Sequence, residues 1–217
     1  MPQLLTNLHF LSDAPEISFW HATETVEELV SLLPAKKQYK EEIEQFGALL
    51  RKKERLATRV LLHRALGVEA NIDYLPSRRP VLTFPKKEIS ISHSHSYIAF
   101  STAKFRHGID IEVYGSRALK LHKAFLNESE VKLLAKEDSE QMATMLWSAK
   151  EAVYKFADIQ GLDFSKDILI TNYTADTLHI YLPRFKKESI VHYFFLQDFV
   201  LTYAIQGHKI EIGKISL

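Results

Sequence analysis

Asp110 and Glu112 stand two residues apart in the segment Gly108-Ile109-Asp110-Ile111-Glu112. Glu151 and Lys155 stand four apart in Trp147-Ser148-Ala149-Lys150-Glu151-Ala152-Val153-Tyr154-Lys155-Phe156. In an extended strand alternate side chains leave the same face, so Asp110 and Glu112 point together while Ile109, Ile111 and Val113 point the other way. The second segment reads as a helix. Leu146, Ala149, Val153 and Phe156 form its apolar stripe, and Trp147, Glu151 and Lys155 follow at i, i+4 and i+8 on the opposite side. Three carboxylates from two rigid elements, with an ammonium one helical turn beyond the third, suit a hard cation and a phosphate. That combination points to phosphoryl-type chemistry.

The elements that must position these groups follow from pattern. A strand is expected around Ile17–Trp20, and Thr25 with Glu28 forms a capping box that opens a helix over 26–33, closed by Pro34. Residues 35–66 are helical in composition, divided at Gly47 and stopped at Gly67. In the second of these helices Arg51, Arg55 and Arg59 recur every four residues and share a face. The stretch 71–85 is turn-rich, with Ser77-Arg78-Arg79-Pro80 as its polar corner. Residues 88–113 read as β structure: Ile89-Ser90-Ile91-Ser92 alternates, Tyr97–Ala103 is a second strand, and Arg106-His107-Gly108 turns into the Asp110 strand. Asn127 and Glu130 cap a further helix, the Trp147 helix runs on to Gly161, and strands are expected at 168–171, 178–182 and 193–205. Helices then strands, twice over, predict an α+β fold of two similar α+β halves. The halves are 1–105 and 106–217, paired as a pseudo-dimer without a residue-by-residue repeat.

Composition narrows the partners. The 28 Lys and Arg against 27 Asp and Glu give a net charge of +1, so no global field favours nucleic acid or an anionic membrane, and any bound anion needs a local cluster. Zero cysteines exclude disulfides, thiolate zinc sites and cysteine nucleophiles. The opening residues lack a basic n-region and a sustained apolar core, so no secretory leader is read there. No apolar run approaches the ~20 residues of a membrane span. The expectation is a soluble, cytoplasmic protein.

Taken in order, Ser92-His93-Ser94, Gly108-Ile109-Asp110-Ile111-Glu112 and Trp147-Ser148-Ala149-Lys150-Glu151-Ala152-Val153-Tyr154-Lys155 make the chain resemble the 4′-phosphopantetheinyl transferases, in particular the longer Sfp-like group. The separation of Asp110 from Glu151 is similar too, as are Arg79-Pro80 and the helix bearing Arg55 and Arg59, so the resemblance spans roughly residues 50–165. It implies that coenzyme A lies in a cleft between the two halves. Phosphopantetheine would then pass to a serine hydroxyl of an apo-acyl or peptidyl carrier protein, leaving adenosine 3′,5′-bisphosphate. It further implies Mg²⁺ on Asp110, Glu112 and Glu151, His93 at the 3′-phosphate, Ser92, Lys150 and Lys155 near the pyrophosphate, and Arg79 near the adenosine. Glu151 is the candidate acceptor of the serine proton, and Lys155 the group that neutralises the leaving phosphate. Two halves in one chain imply a self-sufficient monomer.

Blander readings stand beside these. Asp110 and Glu112 fit the solvated face of an edge strand, and Glu151 with Lys155 fits an ordinary helix pair. Trp147 reads as packing. His93 and His95 lack a third ligand near them in sequence, which argues against zinc. Which arginine of the Arg51, Arg55, Arg59 face meets a phosphate stays open, and the usual glycine before the last of them is here Thr58. A different class of function, a non-catalytic CoA- or carrier-binding homologue, keeps the fold without turnover. A metal-dependent phosphohydrolase lacks a Gly-rich phosphate loop or a two-metal ligand set to support it.

Overall fold

The computed structural model describes residues 14–34, 36–66, 70–135 and 139–207. In chain order come strand β1 (Glu16–His21), helices α1 (Val26–Ser31), α2 (Lys36–Glu44) and α3 (Leu49–Leu66), and strands β2 (Asn71–Tyr74), β3 (Pro80–Phe84), β4 (Glu88–Ser94), β5 (Tyr97–Ala103) and β6 (Gly108–Val113). Short helices α4 (Ser116–Lys120), α5 (His122–Phe125) and α6 (Glu128–Val131) lead to the long α7 (Ser139–Ala157). Strands β7 (Leu169–Tyr173), β8 (Thr177–Leu182), β9 (Lys187–Phe195) and β10 (Phe199–Gln206) follow. The fold is α+β, as expected.

Two antiparallel sheets dominate. One has the order β1-β5-β4 and the other β6-β10-β9-β8-β7, while β2 and β3 form a separate hairpin. Helix α3 covers the first sheet, burying Leu56, Val60 and Leu61 with Trp20, Ile98 and Phe100. Helix α7 covers the second, burying Met145, Leu146, Ala149 and Val153 with Ile180, Val191 and Val200. A third core belongs to both sheets: Ile17, Phe19 and Ala99 pack against Ile109, Ile111, Leu201 and Tyr203. The chain passes from one sheet to the other between Ala103 and Gly108.

Where β4 meets β6, three alternate serines join the sheets. The hydroxyls of Ser90, Ser92 and Ser94 accept the backbone N–H groups of Ile109 at 2.9 Å, Ile111 at 3.3 Å and Val113 at 3.1 Å. Period-two spacing puts all three on one face of β4, so a side-chain ladder stands where a backbone ladder would otherwise run. The other side of β6 has ordinary backbone pairing, with Asp110 opposite Thr202 on β10.

Local signals explain most element ends. Thr25 Oγ1 accepts from the Glu28 N–H and the Thr25 N–H donates to Glu28 Oε2, closing the expected capping box. Asn127 and Glu130 do the same for α6. Helix α1 stops at Ser31, short of Leu33, and the Gly67 stop lies outside the described residues. Three expectations change. The turn-rich stretch 71–85 pairs as the β2–β3 hairpin, its corner turned by Arg78 at φ 67°. The strand expected over 193–205 divides into β9 and β10, because Gln197 and Asp198 interrupt the apolar run and Leu196 N bonds Phe199 O across the turn at 2.9 Å. Helix α7 ends at Ala157, not Gly161, where Asp158 takes a left-handed φ of 53°.

Candidate active site

The strand and the helix that carry the carboxylates are pressed together. A Cβ on Gly108 would lie 2.1 Å from Ala152 O and 2.6 Å from Phe156 N, so only glycine lets β6 start against the α7 backbone. Two residues on, the pleat turns Asp110 toward α7 and leaves Ile109 and Ile111 in the shared core.

Five of the expected residues are brought together there. Asp110 is 4% exposed; its Oδ1 accepts from Ser92 Oγ at 2.7 Å and from Lys155 Nζ at 2.8 Å. Lys155 also donates to Ile109 O at 3.0 Å. Glu112 Oε2 accepts from Ser94 Oγ at 2.8 Å, and its Oε1 from Trp147 Nε1 at 3.2 Å. Glu151 faces the same cluster. Burial, then the charge of Asp110, with Glu112 adding, pushes its carboxyl up to about 7, against the pull of Lys155. Burial and Asp110 likewise raise Glu112, while its bonds to Ser94 and Trp147 lower it. Three carboxylates facing one ammonium is a site short of positive charge.

The donor set matches a hard divalent cation in kind: all the donors are carboxylate oxygens. Asp110 Oδ2 is buried and has no hydrogen-bond partner, a costly state for a carboxylate oxygen unless a cation meets it. Among the described residues no three such side chains converge tightly enough to hold an ion as they stand. The fit therefore lies in donor type, charge and the bare oxygen.

Lys150 departs from expectation. Its ammonium is 0% exposed and points away from the cluster, donating to Glu130 Oε2 at 2.7 Å, Phe125 O at 2.8 Å and Phe164 O at 2.9 Å. All three protons have acceptors, so none is left for a pyrophosphate. Glu130, the capping residue of α6, also takes the Ile170 N–H at 2.7 Å; one buried pair ties α5, α6, β7 and the 164 loop to α7. Burial lowers the Lys150 pKa and Glu130 opposes it. Trp147, read as packing from sequence, packs against Phe125 and Phe164 as expected, yet its indole N–H holds Glu112 as well.

The basic residues flank two clefts. One, of about 310 Å³, is lined by Arg51, Glu54, Arg55, Tyr74, Arg78 and His93. His93 Nδ1 lies 3.2 Å from Glu54 Oε1, and burial lowers the imidazole's pKa against the charge of Glu54. Arg55 Nε reaches Glu42 Oε1 at 2.5 Å and Arg59 reaches the same oxygen at 3.3 Å, while Arg55 also bonds the Tyr74 hydroxyl. The second cleft, of about 610 Å³, runs along Arg78, Arg79, His107, Tyr154, Lys155 and Asp158. Arg79 is held by Glu88 at 2.7 Å and Asp158 at 3.1 Å. Lys155 thus sits where the larger cleft meets the acidic cluster.

Ser94 and Trp147 are the contacts that sequence reasoning missed. The first was announced by Ser90-x-Ser92-x-Ser94, a period-two run whose partners lie on another strand. No curated protein matches the chain. A family model described as the 4′-phosphopantetheinyl transferase superfamily matches residues 106–204, which run from just before β6 through α7 into β10 and hold Asp110, Glu112, Glu151 and Lys155.

Proposed function

We propose that this chain is a Mg²⁺-dependent 4′-phosphopantetheinyl transferase of the Sfp-like group, acting on coenzyme A and an apo-acyl or peptidyl carrier protein. The observation that carries the reading is the meeting of Asp110, Glu112 and Glu151 around Lys155, which itself lines the larger cleft, inside the stretch matched by the family model. The enzyme is read as a cytoplasmic monomer whose halves, 1–105 and 106–217, form a pseudo-dimer around the substrate. No described helix is long and apolar enough to cross a membrane.

In this reading the carrier serine oxygen attacks the phosphorus that bears pantetheine. The bond from that phosphorus to the bridging oxygen breaks, and adenosine 3′,5′-bisphosphate leaves. Glu151, with its carboxyl raised to about 7, takes the serine proton directly or through a water. Lys155 offers its ammonium to the departing phosphate. Arg79 borders the same cleft and is assigned to the adenosine end. His93 and Arg55 line the smaller cleft and, with Arg59, which shares Glu42 with Arg55, are assigned to the 3′-phosphate. Ser92, expected near the pyrophosphate, spends its one proton on Asp110 and is assigned instead to supporting that carboxylate. Mg²⁺, held by Asp110, Glu112 and Glu151, would supply charge neutralisation on the pyrophosphate.

Intact-mass analysis of an apo-carrier protein incubated with the chain, CoA and Mg²⁺ tests this. A gain of one phosphopantetheine on the carrier, abolished by EDTA, is expected. CoA cleavage without carrier modification selects a phosphohydrolase instead, and CoA or carrier binding without either reaction selects a non-catalytic homologue.

A further inference from the structure

We propose that Ser94 and Trp147 are positioning residues for Glu112, clamping its carboxylate from the sheet seam and from α7 so that it meets a divalent cation in one orientation. The inference rests on the metal-dependent reading of the acidic cluster.

The two clamps come from different elements and take different oxygens. Ser94 Oγ accepts the Val113 N–H at 3.1 Å. That bond uses the hydroxyl's acceptor side, and its one proton goes to Glu112 Oε2 at 2.8 Å, much nearer than the other neighbour, His95 Nδ1 at 3.5 Å. Trp147 Nε1 can only donate, and its partner is Glu112 Oε1 at 3.2 Å. The indole itself is fixed by Phe125, edge-on at 5.2 Å, and by Phe164 at 5.4 Å. Glu112 therefore has one hydrogen bond on each oxygen, and each oxygen keeps lone pairs for a cation. A ligand carboxylate oriented by such outer partners is the arrangement that raises metal affinity, because the ion finds its donors already in place.

The neighbouring serines supply a built-in control. Ser90 makes the same seam bond, to the Ile109 N–H at 2.9 Å, but no carboxylate bond among those of the described residues. A purely structural role predicts that losing Ser90 and losing Ser94 act alike. A positioning role separates them.

The full-length chain is titrated with Mn²⁺ alone and with CoA present, free Mn²⁺ being read by electron paramagnetic resonance. Ser94→Ala should raise the Mn²⁺ dissociation constant on the order of 10-fold. Trp147→Phe, which keeps a ring but removes the donor, should raise it in the same direction. Ser94→Thr, which keeps the hydroxyl, should restore most of the affinity, and Ser90→Ala should leave it unchanged. In carrier modification the Mg²⁺ concentration for half-maximal rate should rise with Ser94→Ala, while the KM for CoA at saturating Mg²⁺ stays put. Equal weakening by Ser90→Ala and Ser94→Ala, or no weakening by either, overturns the proposal. So does a wild-type chain that binds no Mn²⁺ with CoA present. If the Mn²⁺ pattern holds but no carrier is modified, the positioning role stands and the transferase reading falls.

Discussion

Helices α3 and α7 are near equals in length, at 18 and 19 residues, and each packs an apolar face on its own sheet and turns charge toward a cleft. What differs is the state of that charge. On α3 three arginines already have carboxylate neighbours: Glu42 takes Arg55 and Arg59, and Glu54 takes Arg51 at 2.9 Å, although Arg59 Nε is left without a hydrogen-bond partner. On α7 and β6 three carboxylates share one lysine, and an Asp110 oxygen stays bare. A cation can enter the acidic cluster without breaking an ion pair. An anion that approaches Arg55 and Arg59 meets the Glu42 carboxylate already seated between them. The contrast teaches that a charged helix face is informative for binding only once its internal partners are known.

The sharpest way to break this comparison lies within α7, between its two lysines. Lys150→Met strands the Glu130 carboxylate in the interior and should cost about 3–5 kcal/mol of stability, read as a lowered midpoint in urea. Lys150→Met with Glu130→Gln should recover part of that loss. Lys155→Met should keep the fold and lower kcat on the order of 10²–10³-fold. If instead Lys150→Met is stable and slow, its ammonium belongs to the chemistry after all.

Asp110→Asn comes next. The change is isosteric and removes the charge that the bare oxygen carries, so carrier modification should fall on the order of 10²–10³-fold with the thermal midpoint little changed. Retention of half the wild-type rate at limiting Mg²⁺ would remove Asp110 from the site.

A smaller effect sharpens the α3 side. Glu42→Gln frees Arg55 and Arg59 from an internal carboxylate. Adenosine 3′,5′-bisphosphate should then bind several-fold more tightly by calorimetry, with a steeper salt dependence, since a charge-assisted contact is typically worth about 1.5–3 kcal/mol before competing terms. Unchanged affinity would place the phosphate elsewhere.

The smallest effect is a slope. His107 is 4% exposed. Its Nδ1 lies 3.1 Å from Phe105 O and its Nε2 2.7 Å from Ser101 Oγ, contacts that a neutral ring protonated on Nδ1 satisfies together. Burial lowers its pKa, with hydrogen bonding to the backbone of Phe105 and Ser101 and the charge of Glu88 opposing and Arg106 lowering it further. A histidine with a lowered native pKa contributes stability fully above the unfolded value near 6.5, and loses it as pH falls below that. Stability should therefore decline with acidification from about pH 6.5, and His107→Gln should flatten that decline. An unaltered slope would mean that other groups carry it.

Much of this arrangement could be read from spacing. Alternation put Asp110 and Glu112 on one face, the four-residue step put Trp147, Glu151 and Lys155 on another, and both capping boxes were visible as Thr25-x-x-Glu28 and Asn127-x-x-Glu130. These are local regularities, and local regularities are written in the sequence. Lys150 failed because its partners are distant in the chain. Nothing near it in sequence shows that Glu130 serves a cap, a strand N–H and an ammonium at once. The β9–β10 turn failed because Gln197 and Asp198 carry no glycine or proline to mark it. The serine seam was half legible: Ser90, Ser92 and Ser94 were plainly on one face, but a hydroxyl's partner across two sheets is a tertiary fact. Which residues belong to 1–105 and which to 106–217 is likewise blurred by Ile17, Phe19, Ile109 and Leu201, which pack in one core.

Gly108 has a consequence for anyone who would move this site to another scaffold. With a Cβ forbidden by Ala152 O at 2.1 Å, strand and helix touch backbone to backbone, and the spacing between Asp110 and Glu151 is inherited from that contact, not from the carboxylates. A transplant of the three acids alone would carry the proposed ligands without their ruler. The smallest portable unit is β6 and α7 together, glycine included, because without the glycine the strand loses the close approach that sets where its acids stand.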